Sequence, residues 1–249
     1  MQASIFLESG KDHSVLGQHP WIFSGSIAKY EGKVGLGTTV LVYNDAKKLL
    51  GRAAYSPNSQ IRARMWSWDP EEPIDHAFFK RKIALALQHR NKWVKDTNGI
   101  RLIFGEADGI PGLVVDQYDK VLVCQFLSAG VDHSKKVIVE ILVQQTGCET
   151  VFERSDAAVR QREGLELQTG TLFGNPPPKE ILIHENGIAY LVDPYHGHKT
   201  GFYIDQRDNR KLVQDLSKDR KVLNMFCYTG GFSLAALKGG ASQVISVCL

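Results

Sequence analysis

The chain has 249 residues, 43% of them apolar and 23% charged, which is more than one typical ~150-residue domain and enough apolar content to bury a sizeable core. Thirty Lys and Arg against 27 Asp and Glu leave a net charge of +3, a balance that permits a polyanionic partner without demanding one. Global disorder is excluded, and so is a membrane helix, because the longest apolar stretches, such as 137–143 broken by Glu140, fall far short of the ~20 residues that cross a bilayer.

Glu8, Lys11 and Asp12 stand where a secretory leader would turn apolar, so a cytoplasmic location is expected. The cysteines Cys124, Cys148, Cys227 and Cys248 form no C-x-x-C pair and have no His at zinc-like spacing. Neither a disulfide frame nor a metal site is signalled.

Residues 4–69 read as short strands punctuated by turns: 39–43, 49–55 and 60–68, separated by Asn44-Asp45 and Ser56-Pro57-Asn58. In the last strand Ile61, Ala63 and Met65 alternate with Arg62 and Arg64, which assigns the apolar set to a core and both guanidinium groups to the outer face. That face reads either as an ordinary solvated one or as a phosphate-contacting edge. Residues 75–95 contain no Gly or Pro and, after Asp75, no acidic residue. Lys80, Arg81, Lys82, Arg90, Lys92 and Lys95 ride beside Phe79, Ile83, Leu87 and Val94, predicting an amphipathic basic helix. Such a helix reads as an ordinary solvated face, a membrane-surface element or a phosphate-binding face; charges without acidic neighbours repel, which mildly favours a nucleic-acid role.

A second unit follows. Strands at 102–104, 113–115 and 121–126 flank the turn Glu106-Ala107-Asp108-Gly109-Ile110-Pro111-Gly112, and Val137, Ile138, Ile141 and Leu142 fall at helical spacing. A strand at 150–153 and a Gly/Pro-rich loop at 164–178 complete an α+β unit. After a strand at 188–192, a strand at 222–226, a helix at 232–238 and a strand at 243–247 make one βαβ unit. The expected organisation is therefore α/β overall, with boundaries at 1–75, 76–185 and 186–249.

The sharpest local signal is Asn224-Met225-Phe226-Cys227-Tyr228-Thr229-Gly230-Gly231-Phe232, between a buried-type strand and a helix. A Gly pair there lets backbone approach a ligand and exposes the N–H groups of the helix's first turn. The pattern is neither G-x-G-x-x-G nor a P-loop, which disfavours a nucleotide oxidoreductase or an ATP phosphate site and favours a ligand held by shape, such as S-adenosylmethionine. A tight strand-to-helix turn with no ligand is the plainer alternative. Upstream, 196–208 is dense in polar residues beside Gly and aromatics; His196 and His198 lack the further donors of a metal set, and the segment reads as a fold over a ligand pocket or as a capped helix start at Asp205.

Several blocks in order resemble the RlmI-like ribosomal RNA large subunit methyltransferases: Gln18-His19-Pro20-Trp21-Ile22-Phe23-Ser24-Gly25, Tyr55-Ser56-Pro57-Asn58-Ser59-Gln60-Ile61-Arg62-Ala63-Arg64, Gly105 through Gly112, Phe152-Glu153-Arg154-Ser155-Asp156, 196–207 and 224–232. The resemblance implies an N-terminal PUA domain of small β-barrel type, a central α+β domain and a Rossmann-like class I methyltransferase domain. It implies S-adenosylmethionine as cofactor and 5-methylcytosine formation in large-subunit, 23S-type ribosomal RNA. Carried over by residue, Phe226, Tyr228, Thr229, Gly230 and Gly231 match the cofactor loop, and Lys199, Thr200, Tyr203, Gln206 and Arg207 match the segment that closes over cofactor and base. Arg62, Arg64, Lys80, Arg81, Lys82 and Arg90 become the expected RNA contacts.

The family pattern expects an acidic residue after Val247, where this chain has Cys248 and Leu249. The family's Asp-Pro-Pro block and its nucleophilic Cys segment do not follow; Asn175-Pro176-Pro177 reads as a linker, and Cys227 suits packing better than attack on a base. The expectation is a truncated product with no catalytic residue of its own, inactive alone, its two-stranded βαβ sheet exposing apolar faces that a second copy could cover as a homodimer. A PUA-type RNA-binding module without catalysis is the alternative.

Overall fold

The computed structural model describes residues 2–248. They form two compact units, the first made of the residues up to Lys92, Leu102–Asp116 and Lys120–Pro177, the second of Trp93–Arg101, Gln117–Asp119 and the residues from Pro178 on.

The first unit opens with β1 (Ser4–Leu7), the short helix α1 (His13–Leu16), β2 (Trp21–Phe23), β3 (Ile27–Glu31), β4 (Thr39–Tyr43), β5 (Leu49–Tyr55) and β6 (Ile61–Ser67). These strands make one sheet in the order β2-β6-β5-β4-β1-β3, antiparallel except for β1 beside β4. Its edge strands β2 and β3 are joined directly by the 3-10 turn Ser24–Ser26, so the sheet curls round a core that includes Ile5, Leu7, Ile22, Val40, Val42, Ala63 and Met65. The three strands expected at 39–43, 49–55 and 60–68 are present as β4, β5 and β6.

Helix α2 (His76–Trp93) follows, with the Asp75 carboxylate accepting the Phe78 N–H at 3.0 Å and Phe78, Phe79, Ile83 and Ala86 buried. Then come β7 (Gly99–Phe104), β8 (Leu113–Tyr118), β9 (Val121–Phe126), α3 (Ala129–His133), α4 (Lys135–Thr146), β10 (Thr150–Ser155), α5 (Val159–Arg162) and β11 (Gln168–Phe173). The second sheet runs β11-β10-β9-β8-β7, with β10 parallel to β9 and antiparallel to β11. Strand β11 lies inside the stretch 164–178 expected as a loop. Four of its six residues are exposed and two are half-buried, so it carries no apolar alternation, and its Gly and neighbouring Pro residues mask Thr169, Thr171, Leu172 and Phe173.

The second unit contains the hairpin β12 (Ile181–Glu185) and β13 (Ile188–Val192), helix α6 (Arg207–Leu216), β14 (Lys221–Met225), α7 (Gly231–Lys238) and β15 (Gln243–Val247). Asn186 and Gly187 both have positive φ, 50° and 76°, as the two-residue hairpin turn requires. A boundary at 185/186 would cut this hairpin in two; the compact unit resumes at Pro178. Strands β14 and β15 pair in parallel from Lys221 opposite Gln243 to Met225 opposite Val247, as the predicted βαβ unit requires. Leu223, Met225 and Ile245 on them are 61%, 47% and 51% exposed, an apolar surface that no described residue covers. No helix among the described residues is long and apolar enough to cross a membrane.

A candidate cofactor cavity and the expected RNA contacts

At the carboxyl end of β14 the backbone turns through three left-handed residues, Phe226 (φ 59°), Tyr228 (φ 49°) and Gly230 (φ 75°), before α7 begins. Gly is at ease in that conformation, but Phe and Tyr are not, and such strain concentrates where a loop holds a ligand. The loop is pinned by Cys227 N–H to Val247 O at 3.1 Å and Gly230 N–H to Cys227 O at 2.8 Å. Behind it, the Ser233 hydroxyl accepts from Asn224 Nδ2 at 2.8 Å and meets Ser246 Oγ at 2.6 Å, tying β14, α7 and β15 together.

The segment between β13 and α6 closes the other side. Asp193 begins it: its Oδ1 accepts the N–H groups of Tyr195 (2.8 Å) and His196 (3.0 Å), and Oδ2 lies 3.3 Å from His196 Nδ1. Its slight burial works against ionisation, but these hydrogen bonds and the His196 ring outweigh it and hold the carboxyl below the usual range. Gly201, at φ 129°, packs so close to Val192 that a Cβ there would lie 2.7 Å from its side chain. His198 donates its N–H to the Tyr228 hydroxyl at 2.9 Å, stacks on the Tyr228 ring at 4.4 Å and 19°, and sets Nδ1 3.1 Å from Tyr203 Oη. Tyr203 meets the Tyr228 ring edge-on at 5.5 Å.

Beneath the cavity, Arg210 and Glu185 form a two-pronged ion pair at 2.7 and 2.8 Å with side chains only 4% and 2% exposed. Arg210 also donates to the Tyr203 carbonyl at 3.0 Å, and its guanidinium lies 4.6 Å from the Phe202 ring centre. The cavity between these segments is open to solvent on one side and has a volume of about 430 Å³. Aromatic faces, a Gln206 amide, a Thr229 hydroxyl and the first N–H groups of α7 surround it, a donor set suited to a purine, a sulfonium and a carboxylate together.

Of the residues expected to hold cofactor, Tyr203, Gln206, Phe226, Tyr228, Thr229 and Gly231 line this cavity. Gly230 shapes the loop without lining it. Thr200 does not reach it, because its buried hydroxyl lies 2.8 Å from Tyr118 Oη. Lys199, at φ 62°, lies with its ammonium 5.3 Å from the Tyr203 ring centre and 4.0 Å from Asp205. Arg207 belongs to a separate hollow of about 220 Å³ with Val94, Arg101, Ile204, Asp205 and Asp208. Sequence reasoning left out His198, Phe202, Arg210 and Phe232 as lining residues, and Cys227 also lines the cavity. The i, i+4 spacing from Gln206, the residue before α6, to Arg210 was the signal available for Arg210. Asp205 makes no side-chain cap to α6.

The expected RNA contacts divide more sharply. Arg64 is not on an outer face: it is 8% exposed and paired to Glu163. Arg62 is half-buried and turns Nη1 back to the Pro57 carbonyl. The reason is that the second face of β6 is covered within the first unit, so alternation separated two buried environments instead of core from solvent. On α2, Lys80 and Arg81 are exposed and Lys82 half-buried, but the helix is not free of acidic partners. Arg81 pairs with Glu72, and Arg90 grips Asp108 through bonds of 2.6 and 2.8 Å.

Residues 5–68 match a family described as a PUA-like domain, and residues 157–249 one described as S-adenosylmethionine-dependent methyltransferase. The chain is 48% identical over 249 residues to ribosomal RNA large subunit methyltransferase I of Pseudoalteromonas translucida (strain TAC 125), covering 99% of this chain and 63% of that protein. The corresponding proteins of Vibrio parahaemolyticus serotype O3:K6 (50% over 248 residues, 99% and 62% covered) and Escherichia coli O127:H6 (45% over 250 residues, 99% and 63%) agree. Among solved structures, a Streptococcus mutans protein assigned as a SAM-dependent methyltransferase superposes with a TM-score of 0.81 at 25% identity, over 99% of this chain and 63% of that one. A structure assigned as a methyltransferase complexed with SAH gives 0.83 at 25% identity, with 99% and 62% covered. The chain thus spans a little over three-fifths of the length of the relatives it matches. With residues matching a PUA-like domain ahead of residues matching an S-adenosylmethionine-dependent methyltransferase, and about half its residues identical along 99% of its length, the chain is similar throughout to ribosomal RNA large subunit methyltransferase I proteins.

Proposed function

We propose that this chain is the RNA-binding and cofactor-binding portion of a cytoplasmic S-adenosylmethionine-dependent methyltransferase that forms 5-methylcytosine in large-subunit ribosomal RNA. The observation that carries the cofactor assignment is the strained Phe226 to Gly230 loop, which opens an aromatic cavity at the carboxyl ends of parallel strands, where open α/β sheets take their ligands. Tyr228 and His198 offer ring faces to the purine or the sulfonium, and Gln206, Thr229 and the α7 amides offer polar partners. When bound, S-adenosylmethionine supplies a methyl group on a positively charged sulfur.

Methylation at carbon 5 of cytosine needs a thiolate that adds to carbon 6 and so makes carbon 5 nucleophilic. Cys227 does not have that character. Desolvation, with a hydrogen bond to Cys248 and the negative charge that Cys248 carries when ionised, raises its pKa, which is the opposite of thiolate activation. On this reading the 249 residues hold cofactor and RNA but do not turn over alone.

Calorimetric titration with S-adenosylmethionine, together with a labelled-methyl transfer assay on ribosomal RNA, tests both halves. Micromolar binding with no 5-methylcytosine is the expected result; measurable transfer refutes the claim of inactivity, and no binding refutes the cofactor site. Pairing of two chains over Leu223, Met225 and Ile245 is the homodimer reading, checked by sedimentation at two protein concentrations.

A further inference from the structure

His19, Trp21 and Phe23 stand two residues apart at the start of the fold, a spacing that brings successive side chains to one face of an extended strand. Ile22 between them goes the other way, into the core at 2% exposed, while Phe23 is 48% exposed and His19 is exposed. Their rings form a continuous ledge, with centroids 5.6 Å apart from His19 to Trp21 and 6.5 Å from Trp21 to Phe23, each pair near-perpendicular. Such edge-on contacts leave ring faces open to a further planar group.

The ledge lies on an edge strand whose backbone is a poor template. Strand β6 takes one side of β2, extended by Met65 N–H to Pro20 O at 2.8 Å and Ser24 N–H to Gln60 O at 2.9 Å. The strand is three residues long and Pro20 before it has no N–H to give, so what it presents is side-chain faces instead of a ladder for another strand.

A cationic surface adjoins it. Trp21 Nε1 donates to Glu106 Oε1 at 2.8 Å, and Arg64 Nε lies 4.0 Å from the same oxygen. Glu106 shares a 3-10 turn, Gly105–Asp108, with Asp108, whose carboxylate grips Arg90 of α2. Two residues of such a turn advance only about 4 Å. Lys82 of α2 reaches the same turn: a Cβ on Gly109 would lie 3.0 Å from its Nζ. One short turn therefore joins the aromatic ledge to the helix that carries Lys80, Arg81 and Lys82.

We propose that the ledge of His19, Trp21 and Phe23 is a stacking platform for bases of an unpaired RNA segment whose phosphates follow the cations of α2. This rests on the reading of the chain as an RNA-binding protein and names the form of RNA it grips. Unpaired bases have open faces that stack on aromatic rings, whereas a duplex buries them.

The test is fluorescence anisotropy of a labelled single-stranded RNA 12-mer and of the matching duplex, with the 249-residue chain and its His19→Ala, Phe23→Ala and Phe23→Tyr variants. Both alanine sites are exposed, and unchanged thermal midpoints certify the fold. Stacking contributions of this kind predict roughly a tenfold loss of single-strand affinity for Phe23→Ala and about a hundredfold for the pair with His19→Ala, with Phe23→Tyr near the parent. The salt dependence stays as in the parent, because phosphate contacts are untouched, and duplex affinity does not move. Unchanged single-strand affinity in the double variant, or an equal loss on duplex, overturns the platform while leaving RNA binding intact. A parent chain that retains neither RNA overturns the RNA-binding reading and the platform together, and cofactor titration on the same sample reports separately on the other site.

Discussion

Arg64 and Glu163 meet as a buried, two-pronged ion pair, Nη1 to Oε2 at 2.9 Å and Nη2 to Oε1 at 2.8 Å, with side chains 9% and 2% exposed. The Ser56 hydroxyl adds a bond of 2.5 Å to the same carboxylate, and the Ala129 N–H approaches at 3.4 Å. Three other chain segments, at 56, 64 and 129, thus converge on one carboxylate.

Removing either partner leaves a charge buried without its counterpart, and such losses cost about 3–5 kcal/mol. Glu163→Gln and Arg64→Ala are each expected to lower the urea midpoint strongly. Equal midpoints for parent and variants would show that the pair carries no stability. Weaker RNA binding by Arg64→Ala is then a consequence of unfolding, which a binding assay below the variant's melting temperature separates.

Acid should unfold the first unit through the same group. Burial by itself would raise Glu163's pKa, but the hydrogen bonds and charge of Arg64, with the Ser56 and Ser59 hydroxyls, outweigh it and hold the pKa below the ordinary value. Asp132 behaves alike: partial burial is outweighed by Arg160 and Lys135. A carboxylate depressed in the folded state contributes stability that is fully present above its unfolded pKa, about 4, and lost as pH falls through the folded value. Thermal midpoints are expected to be flat with respect to these two groups from pH 7 to about 5 and to fall below about 4; in Glu163→Gln that acid slope should become shallower. An identical slope in the variant removes Glu163 from the explanation.

The His198 ring, not the Arg207 guanidinium, is expected to matter for cofactor. His198→Ala removes the 4.4 Å stack on Tyr228 and should weaken S-adenosylmethionine binding roughly tenfold, the upper range for an aromatic pair beyond its buried area. Arg207→Ala, in the separate hollow beside Arg101 and Asp208, should leave calorimetric affinity unchanged. The reverse ranking would mean that the β13 to α6 segment closes differently when cofactor binds.

What was legible in the sequence follows from what leaves a periodic or chemical trace. Strands β4, β5 and β6 alternate or run apolar between Asn, Asp and Pro turns, and β14, α7 and β15 carry the strand, Gly-Gly, helix order of a ligand turn. Strand β11 left no trace because it is exposed on both faces. The burial of Arg64 was hidden for a different reason: its partner stands 99 residues away, and alternation says that two faces differ without saying what covers each. The pairing of Arg90 with Asp108, only 18 residues on but beyond the end of the helix, is hidden in the same way, which made α2 look more repulsive than it is. In the cofactor cavity, the loop residues were visible as a motif, whereas Arg210 enters through a tertiary pair with Glu185.

Salt dependence distinguishes the remaining cations. Each phosphate contact to single-stranded RNA contributes about 0.7 to the slope of log affinity against log salt. Lys80 and Arg81 are exposed on α2, and although Arg81 pairs with Glu72, an exposed pair of this kind is worth little and can yield to a phosphate. Arg90, by contrast, is held by two bonds to the largely buried Asp108 carboxylate and would have to leave a charge behind. Lys80→Ala with Arg81→Ala should therefore reduce the slope by about 1.4, two contacts at the quoted value. Arg90→Ala should lower thermal stability instead, leaving the slope as it was. If Arg90→Ala is the variant that flattens the salt dependence, RNA binding breaks the Asp108 pair, and the cationic track runs along the carboxyl end of α2 instead of its middle.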